Sequence, residues 1–245
     1  MGTLDPLASG VLPVGVGNAT RLFDYFLKKT KVYEARFRFG VTTKTLDRES
    51  ELIFGGDIPT AQEIQAFLGQ FQGEIDQVPP NYSAISINGK RSYELARIGK
   101  EVELAPKKVL IEEIRLIGQT APDEYSFEIA CGGGTYIRAL ARDIAAALHT
   151  NGFMSALMRT KSGVFTKETA VPLEALNKEN IANYLLPTDS VLPFESIFCD
   201  DERLYHGLRI PTEKADGLYK LYREKAFYGL VRASNGQLKT EKKLC

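Results

Sequence analysis

Residues 31–40 constrain the fold more than any other stretch of the chain. Apolar side chains take alternate positions, Tyr33, Ala35, Phe37 and Phe39, with Val32, Glu34, Arg36 and Arg38 between them. A period of two marks a strand with one face on a core and the other toward water. Such a strand needs partners beside it and an apolar layer over it. Residues 124–131 repeat the pattern with Tyr125, Phe127, Ile129 and Cys131. They run into Gly132-Gly133-Gly134-Thr135, and then into a helical stripe of Ile137, Leu140, Ile144 and Leu148. A further strand is expected near 107–117 and a short one at 162–165. Helices are expected over 18–28 (Leu22, Phe23, Phe26, Leu27), over 60–72 (Ile64, Phe67, Leu68, Phe71) and near 172–184. The reading is an α/β (α+β) domain around a central mixed or antiparallel sheet.

From about residue 190 the texture changes. Short strand-like runs follow at Leu218–Arg223, Ala226–Ala233 and Leu238–Leu244, with Gly229 and Gly236 expected in or beside turns. The predicted division is therefore a larger domain at 1–190 and a small β-rich one at 191–245. A chain of 245 residues has room for both. Within the first, residues 77–106 stand apart. Pro79-Pro80 opens the stretch and Pro106 closes it, around Tyr82, Lys90, Arg91, Tyr93, Arg97 and Lys100. A Pro-bounded excursion rich in Tyr and Arg suits a mobile arm that touches a polyanion carrying flat bases.

Several chemistries are excluded. Cys131, Cys199 and Cys245 have no metal or disulfide spacing, which points to a reducing compartment, and the expected localisation is cytoplasmic. The histidines, His149 and His206, have no neighbouring ligand residues, so no metal is expected. Gly15-x-Gly17 is too short for a dinucleotide fingerprint, and Cys131–Arg138 lacks the Gly-Lys-Ser/Thr end of a phosphate loop. No cofactor is expected. No apolar run reaches membrane-spanning length. A formal net charge of zero argues against non-specific nucleic-acid binding, although local clusters such as Lys28-Lys29, Lys90-Arg91 and Lys242-Lys243 remain. What is left is Asp5, a lone carboxylate in a turn with Gly2, Thr3, Pro6 and Gly10. Asp beside Pro is an ordinary turn former; held in one rotamer, it also suits a nucleophile.

The string Met-Gly-Thr-Leu-Asp-Pro-Leu-Ala-Ser-Gly-Val-Leu-Pro at 1–13 resembles the catalytic motif of the TruB family of tRNA pseudouridine synthases. Lys31-Val32-Tyr33 is similar to the family's Lys-x-Tyr strand. Gly40 to Asp47 looks like its Gly-x-x-Thr-x-Thr-x-Asp. Gln77 to Ala84, with Arg91 and Arg97, resembles its RNA-clasping thumb loop. Gly134-Thr135-Tyr136-Ile137-Arg138 and Leu157-Met158-Arg159-Thr160 resemble its last core motifs. The resemblance implies a pseudouridine synthase fold with a PUA-like tail, acting as a monomer on the T-arm of tRNA at uridine 55. It implies Asp5 as nucleophile and Tyr33, Tyr136, Arg138, Leu157 and Asp47 as substrate-binding residues. Arg138 is expected to pair with Asp5, and Arg91 and Arg97 to meet RNA. The family also carries a Lys-Pro-x-Gly-x-Thr-Ser segment and a Gly-His pair ahead of Gly-Thr-Leu-Asp. Neither is in this sequence, so weak or absent activity of the 245-residue chain is a further expectation. The alternative reading is a catalytically impaired RNA-binding remnant of the same fold.

Overall fold

The computed structural model describes residues 2–27, 29–83, 85–87, 89–97 and 103–244. The chain divides into two compact units. One comprises Met1–Pro13 and Tyr25–Ala170, the other Val14–Asp24 and Val171–Cys245. The expected boundary near 190 thus falls inside the second unit.

The first unit is built on one seven-stranded sheet. Its order along the main path is Ser9–Gly10, Gly152–Ser162, Lys31–Phe39, Glu124–Cys131, Lys107–Ala121, Gly73–Gln77, with Phe165–Thr166 pairing on Gly152–Ser162. All pairings are antiparallel except that of Ser9–Gly10, which runs parallel to Met158–Arg159. The sheet is therefore mixed, as the sequence indicates. Tyr33, Ala35, Phe37 and Phe39 are buried, and so are Tyr125, Phe127, Ile129 and Cys131 opposite them. The register sets Ala35 against Phe127, and the Phe37 and Phe127 rings stack at 4.6 Å between centroids. Lys31 shares the inward parity and is also buried.

The Ile137–Ala147 helix covers this face with Ile137, Leu140 and Ile144, all buried. It lies so close that a Cβ on Gly152 would stand 2.5 Å from the Ala145 Cβ. The Ala61–Leu68 helix starts at a capping box, in which Thr60 and Glu63 satisfy each other's backbone N–H, and it buries Ile64 and Leu68.

Four expectations need correction. The sequence suggests only a short strand at 162–165, yet the strand is Gly152–Ser162 and is central to the sheet. Burial alternates from Ser155 onward, with Ala156, Met158 and Thr160 partly exposed, but Ser155 and Arg159 are polar residues at buried positions and a register shift at Met154/Ala156 offsets the start, so the apolar residues do not alternate in the sequence. The helix over 18–28 is a 3-10 segment, Gly17–Leu22, followed by Phe23–Leu27. Leu22 and Phe26 are buried, whereas Phe23 and Leu27 are exposed. The helices near 172–184 are single 3-10 turns, Leu173–Ala175 and Ile181–Tyr184. Asn177 and Asn180 hydrogen-bond each other's backbone there, giving the chain an alternative to helical pairing. Gly229 lies within the Ala226–Ser234 strand rather than in a turn, and a Cβ on it would come 2.0 Å from the Lys242 carbonyl.

The second unit carries a five-stranded sheet ordered Ser196–Phe198, Gly217–Arg223, Ala226–Ser234, Gln237–Lys243, Ile210–Pro211. Its core is Ile197, Leu204, Ile210, Tyr219, Leu221, Val231, Ala233 and Leu238. Gly236 does lie in a turn. Asn235 and Gly236, with φ of 52° and 71°, join two strands as a two-residue hairpin that needs positive φ at both positions.

Burial pushes the Cys131 thiol up to about 11 from 9.0. The folded chain stays protonated where the unfolded chain ionises. This contribution is complete below pH 9 and lost as pH rises through about 11, at most about 3 kcal/mol. Cys131→Val keeps an apolar side chain without the titration. Its urea midpoint is expected to fall less than that of the unsubstituted protein between about pH 8 and 11. Equal falls would remove Cys131 as the source.

Candidate active site

Asp5 sits on a loop pinned to the sheet edge. The Asp5 carbonyl accepts from Ala8 N at 2.9 Å, closing a turn over Pro6 and Leu7. Ser9–Gly10 then pairs with Met158–Arg159, and Val11 N donates to the Arg159 carbonyl at 2.8 Å. Gly10 has φ 101°, and a Cβ there would stand 2.2 Å from that carbonyl, so no other residue fits.

Arg138 comes from the first turn of the Ile137–Ala147 helix. The start of that helix is fixed by Gln77. Its amide accepts from Tyr136 N at 2.9 Å and donates to the Tyr136 carbonyl at 3.2 Å. The guanidinium donates to both Asp5 oxygens, Nε to Oδ2 at 3.0 Å and Nη2 to Oδ1 at 3.2 Å. Nη1 reaches the Thr45 carbonyl at 3.0 Å and lies 3.4 Å from Asp47 Oδ2; Nη2 also reaches the Tyr82 carbonyl at 3.0 Å. Arg138 and Asp47 side chains are only 7% and 5% exposed, while that of Asp5 is 35% exposed. A buried, fully engaged arginine thus holds a carboxylate whose outer side stays open to an incoming molecule.

The threonines of the 40–47 segment explain how Asp47 is held. Thr45 Oγ1 donates to Asp47 Oδ1 at 2.6 Å, Glu49 N donates to the same oxygen at 2.9 Å, and Thr43 Oγ1 donates to the Asp47 carbonyl at 2.6 Å. With both oxygens engaged inside the protein, Asp47 faces Arg138 and not an open surface.

Tyr33 is buried and stands opposite Arg159 in the strand register. Burial raises its pKa, and Arg159 opposes the rise. Tyr136 is half-buried, and burial raises its phenol too. Leu157 is buried opposite Ala35, in the same core cluster as Tyr33 and Ile137. Arg91 is exposed on a small hairpin, Ser86–Ile87 with Lys90–Arg91, and Arg97 ends the Ser92–Arg97 helix. The Arg97 side chain lies outside the described residues.

A cleft of about 520 Å³ opens beside this network, lined by Lys44, Leu46, Val78, Pro79, Pro80, Asn81, Glu103, Leu104, Pro106 and Arg142. Asp5 is not among the residues of its wall. Among the described residues no cluster of His, Cys, Asp and Glu could hold a metal, and no helix is long and apolar enough to cross a membrane.

Residue-by-residue reading of the sequence misses three supporting groups. Gln77 has no outward signal. Lys31, whose Nζ donates to the Leu27 and Lys29 carbonyls at 2.7 Å each, is signalled by its inward parity. Arg159, 1% exposed, is signalled only by the Leu157-Met158-Arg159-Thr160 motif in which it lies.

Comparisons with known proteins identify the family. Residues 1–137 match the model of the TruB family pseudouridylate synthase N-terminal domain, and residues 138–198 match that of the tRNA pseudouridylate synthase B C-terminal domain. The chain is 40% identical over 253 residues to tRNA pseudouridine synthase B of Clostridium kluyveri, covering 98% of this chain and 87% of the relative. It is 44% identical over 200 residues to the protein of the same name from Caulobacter sp. (strain K31), covering 81% of this chain and 64% of the relative. The chain thus spans less than two thirds of that relative's length. A chain in the crystal structure of a Cbf5-Nop10-Gar1 complex shares the fold, with a TM-score of 0.70 at 23% identity over 100% of this chain and 75% of that one. On the family match and these identities, the chain belongs to the TruB family of pseudouridylate synthases.

Proposed function

We propose that this protein isomerises uridine to pseudouridine in the T-loop of tRNA, at position 55, with Asp5 as the nucleophile and without a cofactor. The observation that carries the reading is the buried Arg138, forked onto both oxygens of a partly open Asp5 carboxylate. The names of the relatives, tRNA pseudouridine synthase B, support the substrate class.

The reaction breaks the bond from C1′ to N1 of the base and makes one from C1′ to C5, within one nucleotide. C5 loses a proton and N1 gains one, so no oxidant, reductant or external group is needed. The Asp5 carboxylate attacks C1′ as the C1′–N1 bond breaks, holds the sugar as an ester while the base turns over, and leaves as C5 bonds to C1′. The base first leaves its stack. Tyr33 gives it a flat face, and Tyr136 and Leu157 wall the pocket. Arg138 keeps Asp5 aimed, and Asp47 acts at one remove by holding Arg138. Arg91 and Arg97, on the 77–106 arm, contact the RNA backbone. The 191–245 region serves as a PUA-like RNA-binding tail, and the protein works as a cytoplasmic monomer. The assembled Asp5–Arg138–Asp47 set favours catalysis over an inactive RNA-binding remnant.

The test is incubation of the purified 245-residue chain with a T-arm stem-loop RNA, followed by detection of pseudouridine in a digest. Slow conversion confined to the T-loop uridine is the expected result. Tight RNA binding without any product would support the remnant instead.

A further inference from the structure

Arg159 is one of the largest fully buried side chains in the protein. Among the described residues no carboxylate pairs with it, which is costly for a buried cation. Its bonds go instead to backbone on either side of the nucleophile. Nε donates to the Val11 carbonyl at 2.7 Å and Nη2 to the Gly2 carbonyl at 3.0 Å. Gly2 and Val11 bracket the loop that carries Asp5. The backbone carbonyl of Arg159 takes Val11 N, and Arg159 stands opposite Tyr33 in the strand register. A Met or Leu of similar bulk would fill this space without the cost of desolvating a charge. What only a planar guanidinium supplies is a rigid fork with several donors in fixed directions.

We infer that Arg159 is the positioning residue of the catalytic loop, tying both ends of the Asp5 segment and Tyr33 into one frame. It touches neither substrate nor reacting atoms in this role. It fixes the nucleophile relative to the face on which the base stacks. This deepens the reading of Asp5 as nucleophile and rests on it. Arg138 aims the carboxylate from one side, while Arg159 holds the loop from behind.

The test compares the unsubstituted chain with Arg159→Lys, which keeps the charge but loses the fork, and with Tyr33→Phe, which removes one hydroxyl. Three quantities are read: the single-turnover rate on T-arm RNA, the RNA Kd, and amide exchange of residues 2–11 against residues 137–147. For Arg159→Lys the rate should fall about 100-fold with Kd within about three-fold, because displacement of a reacting group by about an ångström costs that much. Exchange in residues 2–11 should rise at least about ten-fold while residues 137–147 stay protected. In the Tyr33→Phe background Arg159→Lys should cost less than it does alone, because the two residues are cross-strand neighbours. Unchanged rate and exchange in Arg159→Lys would overturn the inference. So would a uniform rise in exchange across both segments with rate and affinity lost together, since that is the behaviour of a mere fold strut. Strictly multiplicative effects of the two substitutions would remove Tyr33 from the frame. If the unsubstituted chain makes no pseudouridine, the proposed function fails, and the exchange measurement alone decides whether Arg159 tethers the loop.

Discussion

Asp5→Asn is expected to reduce pseudouridine formation by more than about 10⁴-fold, in line with losing the nucleophile of a covalent mechanism. The amide is nearly isosteric, so the loop keeps its docking through Gly10, Val11 and Arg159. It has no carboxylate to form the covalent bond, and it presents an NH₂ to Arg138 where an acceptor stood. RNA affinity should stay within about three-fold, because Asp5 sits on the open side of the site and most affinity for RNA comes from phosphate contacts elsewhere. Rate and affinity are measured on the same T-arm RNA. Turnover retained at a tenth or more of the original rate would take the nucleophile's role away from Asp5.

The second large effect is on the fold as well as the chemistry. Arg138→Met is expected to cost about 3–5 kcal/mol of stability, the range for removing one partner of a buried ion pair. Most of that comes from Asp47, whose side chain is 5% exposed and would be left charged without its cation. The Thr45 and Tyr82 carbonyls lose a donor at the same time. Asp5 adds little to the loss, because water reaches it. Combining Arg138→Met with Asp47→Asn removes the stranded charge and should recover part of the stability but none of the turnover. Urea unfolding of the two variants and a turnover assay check both halves. A single variant as stable as the original would mean that the ion pair contributes nothing to the fold.

How much of this was legible in the sequence varies by residue. The Lys31–Phe39 and Glu124–Cys131 strands were, because each has one buried face and therefore a period of two. The Gly152–Ser162 strand was not, because polar Ser155 and Arg159 take buried positions and a register shift beside Met154 breaks the period. Asp5 and Arg138 drew attention through their motifs, and their pairing was an expectation of the resemblance. The inward turn of Asp47 was not foreseeable, since an Asp in a Thr-rich loop reads equally well as a solvent-facing turn former. Arg159 lay in a quoted motif, yet nothing in its neighbours said that its donors would go to backbone carbonyls. That follows only once Ser9–Gly10 is laid beside Met158–Arg159. Side chains that serve backbone leave no partner in the sequence to look for.

The pairing of Ser9–Gly10 with Met158–Arg159 also orders events during synthesis. Arg159 and Val11 are 148 residues apart, and contacts of such separation form late because the intervening chain must first be closed into a loop. The segment around Asp5 leaves the ribosome well before the strand it docks on exists. Until the Gly152–Ser162 strand joins the sheet, the Asp5 segment has nowhere to settle, and its carboxylate and Arg138 have no fixed relation. The forked contact between Arg138 and Asp5 is thus among the last features of the fold to form, after the sheet is nearly complete.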